Sequence, residues 1–314
     1  EYNGIKALFD AGILYPEDGK FYRVKNTYNG KYMRIAAGET RGQVFADLTA
    51  EQAEKDVSTL FYVEVNSSKP YIRVQGQYLN WVYSTLGGYE AYSTASMDKY
   101  AHFVLVGPGV GAFSIALGNG EGSYASYLGI GFYALKNGTT TVAGSTTDQT
   151  SEYAHWTFEE VTSFPVSLNS VGGEYYATLC VPFDFTITGA HAYTLTRSGN
   201  VLTTDEQVTV AAGTPVLLNG TAATATIDID GNYAATPASG TALTGVFFPT
   251  TIDGTTDYVL GQLDGKIGFY HWTSNNLKAN RAYIVGGTSS ASVKGYAISW
   301  DGTDAIQGLE AAKE

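Results

Sequence analysis

The sequence predicts an all-β chain: a β-trefoil followed by a β-sandwich, with a short N-terminal helix. Three observations predict it. Aromatic-led segments recur three times through the first half. Turn signals separate short alternating strands along the whole chain. The composition is rich in Gly (37) and Tyr (24); aromatic residues favour strands and glycine supplies turns.

Residues 1–19 carry the predicted helix. Ile5, Leu8, Phe9 and Ile13 lie at helical spacing, and Ala7 and Ala11 add propensity. The helix should end near Gly12 and before Pro16. Residues 20–162 carry the trefoil. Its first repeat opens at Phe21-Tyr22-Arg23-Val24, continues at Tyr32-Met33-Arg34-Ile35 and closes at Leu60-Phe61-Tyr62-Val63. The second opens at Tyr71-Ile72-Arg73-Val74, continues at Tyr78-Leu79-Asn80-Trp81 and closes at His102-Phe103-Val104-Leu105. The third opens at Phe113-Ser114-Ile115-Ala116, continues at Tyr127-Leu128-Gly129-Ile130 and closes at His155-Trp156-Thr157-Phe158. Recurrence at this scale implies pseudo-threefold symmetry. Within the acidic stretch Leu48 to Val57, Thr49 followed by Glu51 and Gln52 predicts a helix of one or two turns.

Phe164-Pro165 reads as a linker, and residues 163–304 as the sandwich. Its strand runs are Tyr175 to Phe185, His191 to Thr196, Val216 to Leu218, Thr224 to Ile229, Leu243 to Phe248, Tyr258 to Leu263, Ile267 to His271, Ala282 to Val285 and Tyr296 to Trp300. Short strands at turn-separated spacing fit a sandwich. Residues 305–314 read as a tail.

With 314 residues the chain is about two domains long, at roughly 100–200 residues each. Apolar residues make up 44%, enough for sizeable cores. Charged residues are only 15% and the net charge is −12. Phosphate backbones require a basic footprint, so nucleic acid and anionic membrane surfaces are excluded as partners and a neutral ligand fits better. No apolar run approaches the roughly 18 residues that a spanning helix needs. Cys180 is the single cysteine, so no intramolecular disulfide is possible. The chain starts at Glu1, and its methionines are Met33 and Met97. A processed product with its export signal removed is expected, placing the protein outside the cell or on its surface.

Two resemblances follow from these residues. The cadence Phe21-Tyr22-Arg23-Val24-Lys25-Asn26, the continuation Gly30-Lys31-Tyr32-Met33 and the aromatic closings at Phe103 and Trp156 resemble the ricin-type β-trefoil lectins. That resemblance implies a binding module. The closing Gln-x-Trp of sugar-binding ricin repeats is absent here: Ala154 precedes His155-Trp156 and Ala101 precedes His102-Phe103. The second half resembles C-terminal β domains of secreted proteins from gut-type anaerobic bacteria. It does so at Tyr176 to Phe183, Ala212 to Leu218 and Gly268 to Trp272. That resemblance implies export and polysaccharide-related neighbours.

The candidate carbohydrate site is the aromatic set Trp81, Tyr83, Tyr89 and Tyr92 around Leu86-Gly87-Gly88, with Asn80 and Glu90 as polar contacts. Flat aromatic faces stack on a pyranose ring while carboxylates and amides fix its hydroxyls. Tyr124 and Tyr133 form a weaker set in the third repeat. Asn26, Tyr28 and Asn29 read as a turn, and Phe61, Phe103 and Trp156 as a core layer. No His-Glu-x-x-His run or cysteine cluster exists, so neither a metal nor a cofactor is predicted. Asp228-Ile229-Asp230-Gly231-Asn232 reads as an Asp-Gly hairpin turn rather than a calcium loop. Cys180 reads as a buried, inert thiol. No nucleophile elbow or acid/base pair emerges, so no enzyme is expected. The expected function is an exported, non-catalytic carbohydrate-binding protein whose partner is a glycan or polysaccharide. The alternative is a cell-surface protein-interaction or scaffolding module, which the missing Gln-x-Trp favours.

Overall fold

The computed structural model describes residues 16–36, 42–66, 69–84, 88–95, 103–106, 113–117, 126–130, 142–145, 152–272, 274–286 and 295–300. The helix expected within residues 1–19 and the tail 305–314 lie outside them. The chain divides into two compact units, Glu1–Thr162 and Ser163–Glu314. Both are built from strands.

The first unit is a β-trefoil. Its strands are β1 (Phe21–Asn26), β2 (Tyr32–Ile35), β3 (Val44–Leu48), β4 (Phe61–Asn66), β5 (Lys69–Val74) and β6 (Gln77–Ser84). They continue as β7 (Gly88–Thr94), β8 (Phe103–Val106), β9 (Phe113–Leu117), β10 (Ser126–Ile130), β11 (Val142–Ser145) and β12 (His155–Glu160). One antiparallel pattern repeats three times. The first strand of each repeat pairs with the second, as β1–β2, β5–β6 and β9–β10. The middle strands form hairpins, β2–β3, β6–β7 and β10–β11. The closing strand of each repeat pairs with the opening strand of another, as β4–β5, β8–β9 and β12–β1.

The last of these pairings closes the ring, in register from Tyr22↔Glu160 to Asn26↔Trp156. Alternate residues of each barrel strand then face inward. Tyr22, Val24, Phe61, Val63, Ile72, Val74, Ile115 and Trp156 are all buried. The closing aromatics Phe61 and Trp156 are fully buried, as a core layer requires; the Phe103 side chain lies outside the described residues.

The acidic loop holds the expected helix, α1 (Ala50–Glu54). Thr49 and Gln52 form a reciprocal capping box: the Thr49 hydroxyl accepts from the Gln52 amide, and the Gln52 side chain accepts from the Thr49 amide. At the other end Arg23 donates to the carbonyls of Ala53 and Glu54 at 3.1 Å each, satisfying orphan acceptors of the last turn.

The turn between β1 and β2 is tied to the closing seam by Asn26, which is fully buried. Its side-chain amide donates to the carbonyls of Tyr153 (2.9 Å) and His155 (3.3 Å). Its side-chain oxygen accepts from the amides of Tyr28 and Asn29. Gly30 completes the turn at φ +67°, in the left-handed region.

The second unit is a β-sandwich with mixed pairing. Its strands are β13 (Ser163–Ser167), β14 (Asn169–Val171), β15 (Glu174–Leu179), β16 (Phe183–Thr188), β17 (Ala190–Ser198), β18 (Val201–Gln207), β19 (Val216–Gly220) and β20 (Thr224–Tyr233). They continue as β21 (Thr244–Val246), β22 (Thr250–Thr251), β23 (Tyr258–Leu263), β24 (Lys266–His271), β25 (Asn276–Leu277), β26 (Arg281–Tyr283) and β27 (Gly295–Ser299). An eight-stranded sheet runs β14-β15-β19-β17-β18-β27-β24-β23, and a three-stranded sheet runs β13-β20-β16. Two short pairs, β21–β26 and β22–β25, complete the unit. Leu195, Leu202, Leu217, Phe269 and Tyr296 of the large sheet form one buried cluster with Leu243, Ala282 and Ile284. The alternate residues Ala177, Leu179, Ala192, Val216 and Leu218 are buried too, so the middle of that sheet is covered on both faces. Phe164, Val166, Phe183, Phe185 and Ile227 supply the buried face of the small sheet.

Three expectations change. Phe164-Pro165 is not a linker but part of β13, where Phe164 pairs with Ile227 and Pro165 with Thr226. β13 is an edge strand of its sheet, where proline's missing N–H is tolerated. The single run Tyr175 to Phe185 is two strands, interrupted at Cys180-Val181-Pro182, and they enter different sheets. Asp230-Gly231 is not a hairpin turn. It sits in a bulge of β20, where the register slips so that Phe183 faces Tyr233 while Asp184 faces Asp230.

Cys180 is fully buried and donates to the Gly213 carbonyl at 3.3 Å. A Cβ at Gly245 would stand 2.3 Å from its sulfur, so the backbone approach there needs glycine. Burial pushes the thiol up to about 12.

Two outcomes are expected. Asn26→Ala removes the bonds of this buried side chain to the Tyr153 and His155 carbonyls and the Tyr28 and Asn29 amides and should cost about 2–3 kcal/mol, read as a lower urea midpoint. Cys180 should stay silent to a thiol reagent in the native protein and react fully once guanidinium unfolds it. Reaction at native conditions would contradict its burial.

Candidate functional site

The hairpin β6–β7 carries most of the sequence-predicted site. Its register sets Asn80 opposite Tyr92, Trp81 opposite Ala91, Val82 opposite Glu90 and Tyr83 opposite Tyr89. Two further links fix where this hairpin lies. β7 pairs with β11, Glu90 with Ala143 and Tyr89 with Gly144, which joins the hairpins of the second and third repeats. Ser93 reaches the first repeat: its amide donates to the Gly42 carbonyl at 2.9 Å, and its hydroxyl accepts from the Gly42 amide at 3.1 Å. The three hairpins therefore converge, and Trp81, Tyr83, Tyr89, Glu90 and Tyr92 stand on adjoining strands of that convergence.

Asn80 is fully buried, so it braces the hairpin inside the unit and offers no atom to a ligand on the surface. Ser93 and Gln77 are buried on the other face of the same hairpin, with the Ser93 hydroxyl bonded to the Gln77 side chain. Arg73 pairs with Glu64 at 2.9 Å and lies 4.6 Å from the centre of the Tyr78 ring. The turn Gln75-Gly76 has both residues at positive φ, 50° and 80°, the geometry of a tight hairpin. The side chains from Trp81 to Tyr92, and Tyr124 and Tyr133 altogether, lie outside the described residues.

The structure adds an aromatic pair that the sequence did not mark. Tyr28, read as a turn residue, is 50% exposed. Its ring lies 4.1 Å from that of Tyr153, with the two hydroxyls 3.4 Å apart. The partners are far apart in sequence and meet because β12 returns to β1. The sequence signal that could have found Tyr153 is the repeat itself, which implies that closure. On the same seam Tyr32 is buried and donates to Glu159 at 2.7 Å. Burial first, and this bond to a carboxylate second, push its phenol up to about 12.

Among the described residues no group of three or more His, Cys, Asp or Glu is placed to hold a metal ion, and no helix is long and apolar enough to cross a membrane.

The chain matches no protein-family model. No curated protein matches it either. Solved structures with some likeness include a ricin B-like lectin of Macrolepiota procera in complex with lactose: 12% identity, 47% of this chain and 100% of that chain, TM-score 0.38. The Haemophilus ducreyi cytolethal distending toxin aligns at 17% identity over 51% of this chain and 93% of that chain, TM-score 0.36. Cry35Ab1 aligns at 9% identity over 86% of this chain and 88% of that chain, TM-score 0.35. Likeness at this level carries no argument about ligand or activity.

The Tyr32 shift has a pH consequence. Its folded-state value lies above the ordinary 10.0, so the neutral phenol is favoured by folding. That contribution is complete below about pH 10 and is lost as pH rises through about 12. Stability should therefore fall across that window, and Tyr32→Phe should flatten part of the fall in alkaline urea titrations. An unchanged pH profile in the variant would contradict the assignment.

Proposed function

We propose that the chain is an exported, non-catalytic carbohydrate-binding protein whose trefoil stacks a glycan ring on hairpin aromatics. The observation that carries this reading is the register of β6 on β7. It places Trp81, Tyr83 and Tyr89 on one face of two paired strands at the convergence of three hairpins, and Tyr92 on the other face with Asn80. Stacking on such rings, with a few hydrogen bonds, suits a neutral sugar. The chain's net charge of −12 is consistent with an uncharged ligand and opposes polyanions. Glu90 falls on the other face by the same register, opposite Val82. Asn80 holds the hairpin. A single site of this kind is weak, and engagement of one polysaccharide at several repeats would raise the avidity.

The alternative occupant of the same surface is a partner protein. The absence of Gln-x-Trp at Ala154-His155-Trp156 favours it. A glycan array with the intact chain, run beside Trp81→Ala, separates the readings. A defined glycan signal that disappears in the variant is the expected result. A signal retained in the variant keeps carbohydrate binding and places it elsewhere in the chain. No signal across host and microbial glycans would sink the sugar reading and leave the protein partner.

A further inference from the structure

One face of the large sheet in the second unit runs out of the core into solvent. Along β17, Leu195, Tyr193 and His191 share that face by strand alternation. Leu195 is fully buried in the core cluster, Tyr193 is half-buried and His191 is exposed. Trp300 packs against the same cluster, and its ring lies 5.4 Å from Tyr193, edge to face. His191 continues the row, 6.3 Å from Tyr193. Buried Tyr176 stands on the same face two strands away and braces the row, its ring 5.8 Å from Trp300.

Polar groups rim the row. Glu174 accepts from the Tyr176 hydroxyl and from the Asn219 side-chain amide, the latter at 3.3 Å. Asn219 pairs with both Tyr176 and His191 across the sheet, so this carboxylate–amide pair is fixed at the end of the row. On the other side Glu206, opposite Tyr193 in β18, contacts His191 Nδ1 at 2.6 Å. Glu206 and then Glu174 add to the burial that pushes the Tyr193 phenol up, so its hydroxyl lies in the field of both carboxylates. Among the described residues nothing hydrogen-bonds the Tyr193 hydroxyl or the Trp300 indole N–H.

We propose that Trp300, Tyr193 and His191, rimmed by Glu174, Asn219 and Glu206, form a sugar-binding surface on the sandwich that takes a neutral pyranose ring. The aromatic row supplies the stacking surface. The unpartnered hydroxyl and indole N–H supply hydrogen bonds to sugar hydroxyls, and the Glu174–Asn219 pair fixes the end of the row. Two carboxylates at the rim repel uronates and sulfated sugars. A quaternary ammonium ion could also meet aromatic faces and carboxylates. The carboxylates here are already engaged by Tyr176, Asn219 and His191, and the groups left open are neutral hydrogen-bonding ones, which favours the sugar. The surface is independent of the trefoil reading.

The test is calorimetric titration of the full chain with cellohexaose, maltohexaose, xylohexaose and chitohexaose, beside Tyr193→Ala, His191→Ala and Trp81→Ala. Each variant is first checked for an unchanged melt. At least one sugar should bind, Tyr193→Ala should weaken it about tenfold or more, His191→Ala should weaken it less, and Trp81→Ala should leave the Tyr193-dependent binding intact. No binding of any of the four up to about 10 mM, or binding unchanged in both sandwich variants, overturns the proposal. So does saturable binding of tetramethylammonium in place of the sugars. Loss with Trp81→Ala alone would assign the sugar to the trefoil and also overturn it.

Discussion

The trefoil depends on the pairing of its first strand with its last. β1 and β12 meet in register from Tyr22↔Glu160 to Asn26↔Trp156, and this seam turns a twelve-stranded sheet into a closed ring. An open sheet would leave a long row of unpaired amides and carbonyls at each edge. It would also leave Trp156, fully buried here, on an edge strand. Asn26 is the side chain that couples the seam to the adjoining turn. One buried amide satisfies two carbonyls on the approach to β12 and two amides after β1.

Closure divides the unit's work between two sets of strands. The barrel strands spend their aromatics on the core, as Phe61, Tyr22 and Trp156 do. The β6–β7 hairpin meets its neighbours through its backbone, β7 with β11 and Ser93 with Gly42. At its base the same hairpin is closed by buried polar groups, Gln77, Asn80 and Ser93. Such groups are costly to bury unless bonded, and once bonded they fix the hairpin's position.

The threefold repeat was legible because each repeat spells its core residues at similar spacing. The capping box at Thr49 was legible because it is local, three residues long, and needs no tertiary contact. What escaped was non-local. The run Tyr175 to Phe185 is continuous in hydrophobicity, yet Asn280, at φ 56°, bonds the Cys180 backbone from a hundred residues away and the chain changes sheet there. Phe164-Pro165 looks like a linker by its proline, but β20 supplies a pairing partner that only the fold reveals. β18 was missed because Thr203, Thr204, Asp205 and Glu206 carry no apolar alternation; its pairing with β17 and β27 makes it a strand. At the candidate site the sequence could not tell that Asn80 is interior while Tyr28 is half exposed.

Composition limits what this chain can recognise and how. With charged residues at 15% and an excess of acids, it has few cations to spend on a ligand, and several are already committed: Arg34 to Asp47, Arg73 to Glu64 and Arg23 to the end of α1. In the proposed reading, recognition comes from surfaces that bind without charge. Tyrosine is suited to that role, since its ring packs and its hydroxyl bonds, with few rotatable bonds to freeze. The same property makes tyrosine ambiguous in sequence, because Tyr22, Tyr258 and Tyr296 use it to fill cores. What separates a recognising tyrosine from a filling one is its place along a strand relative to the core boundary. On β17 that boundary falls between Leu195 and Tyr193, where one strand face passes from buried leucine to half-buried phenol to exposed imidazole within five residues.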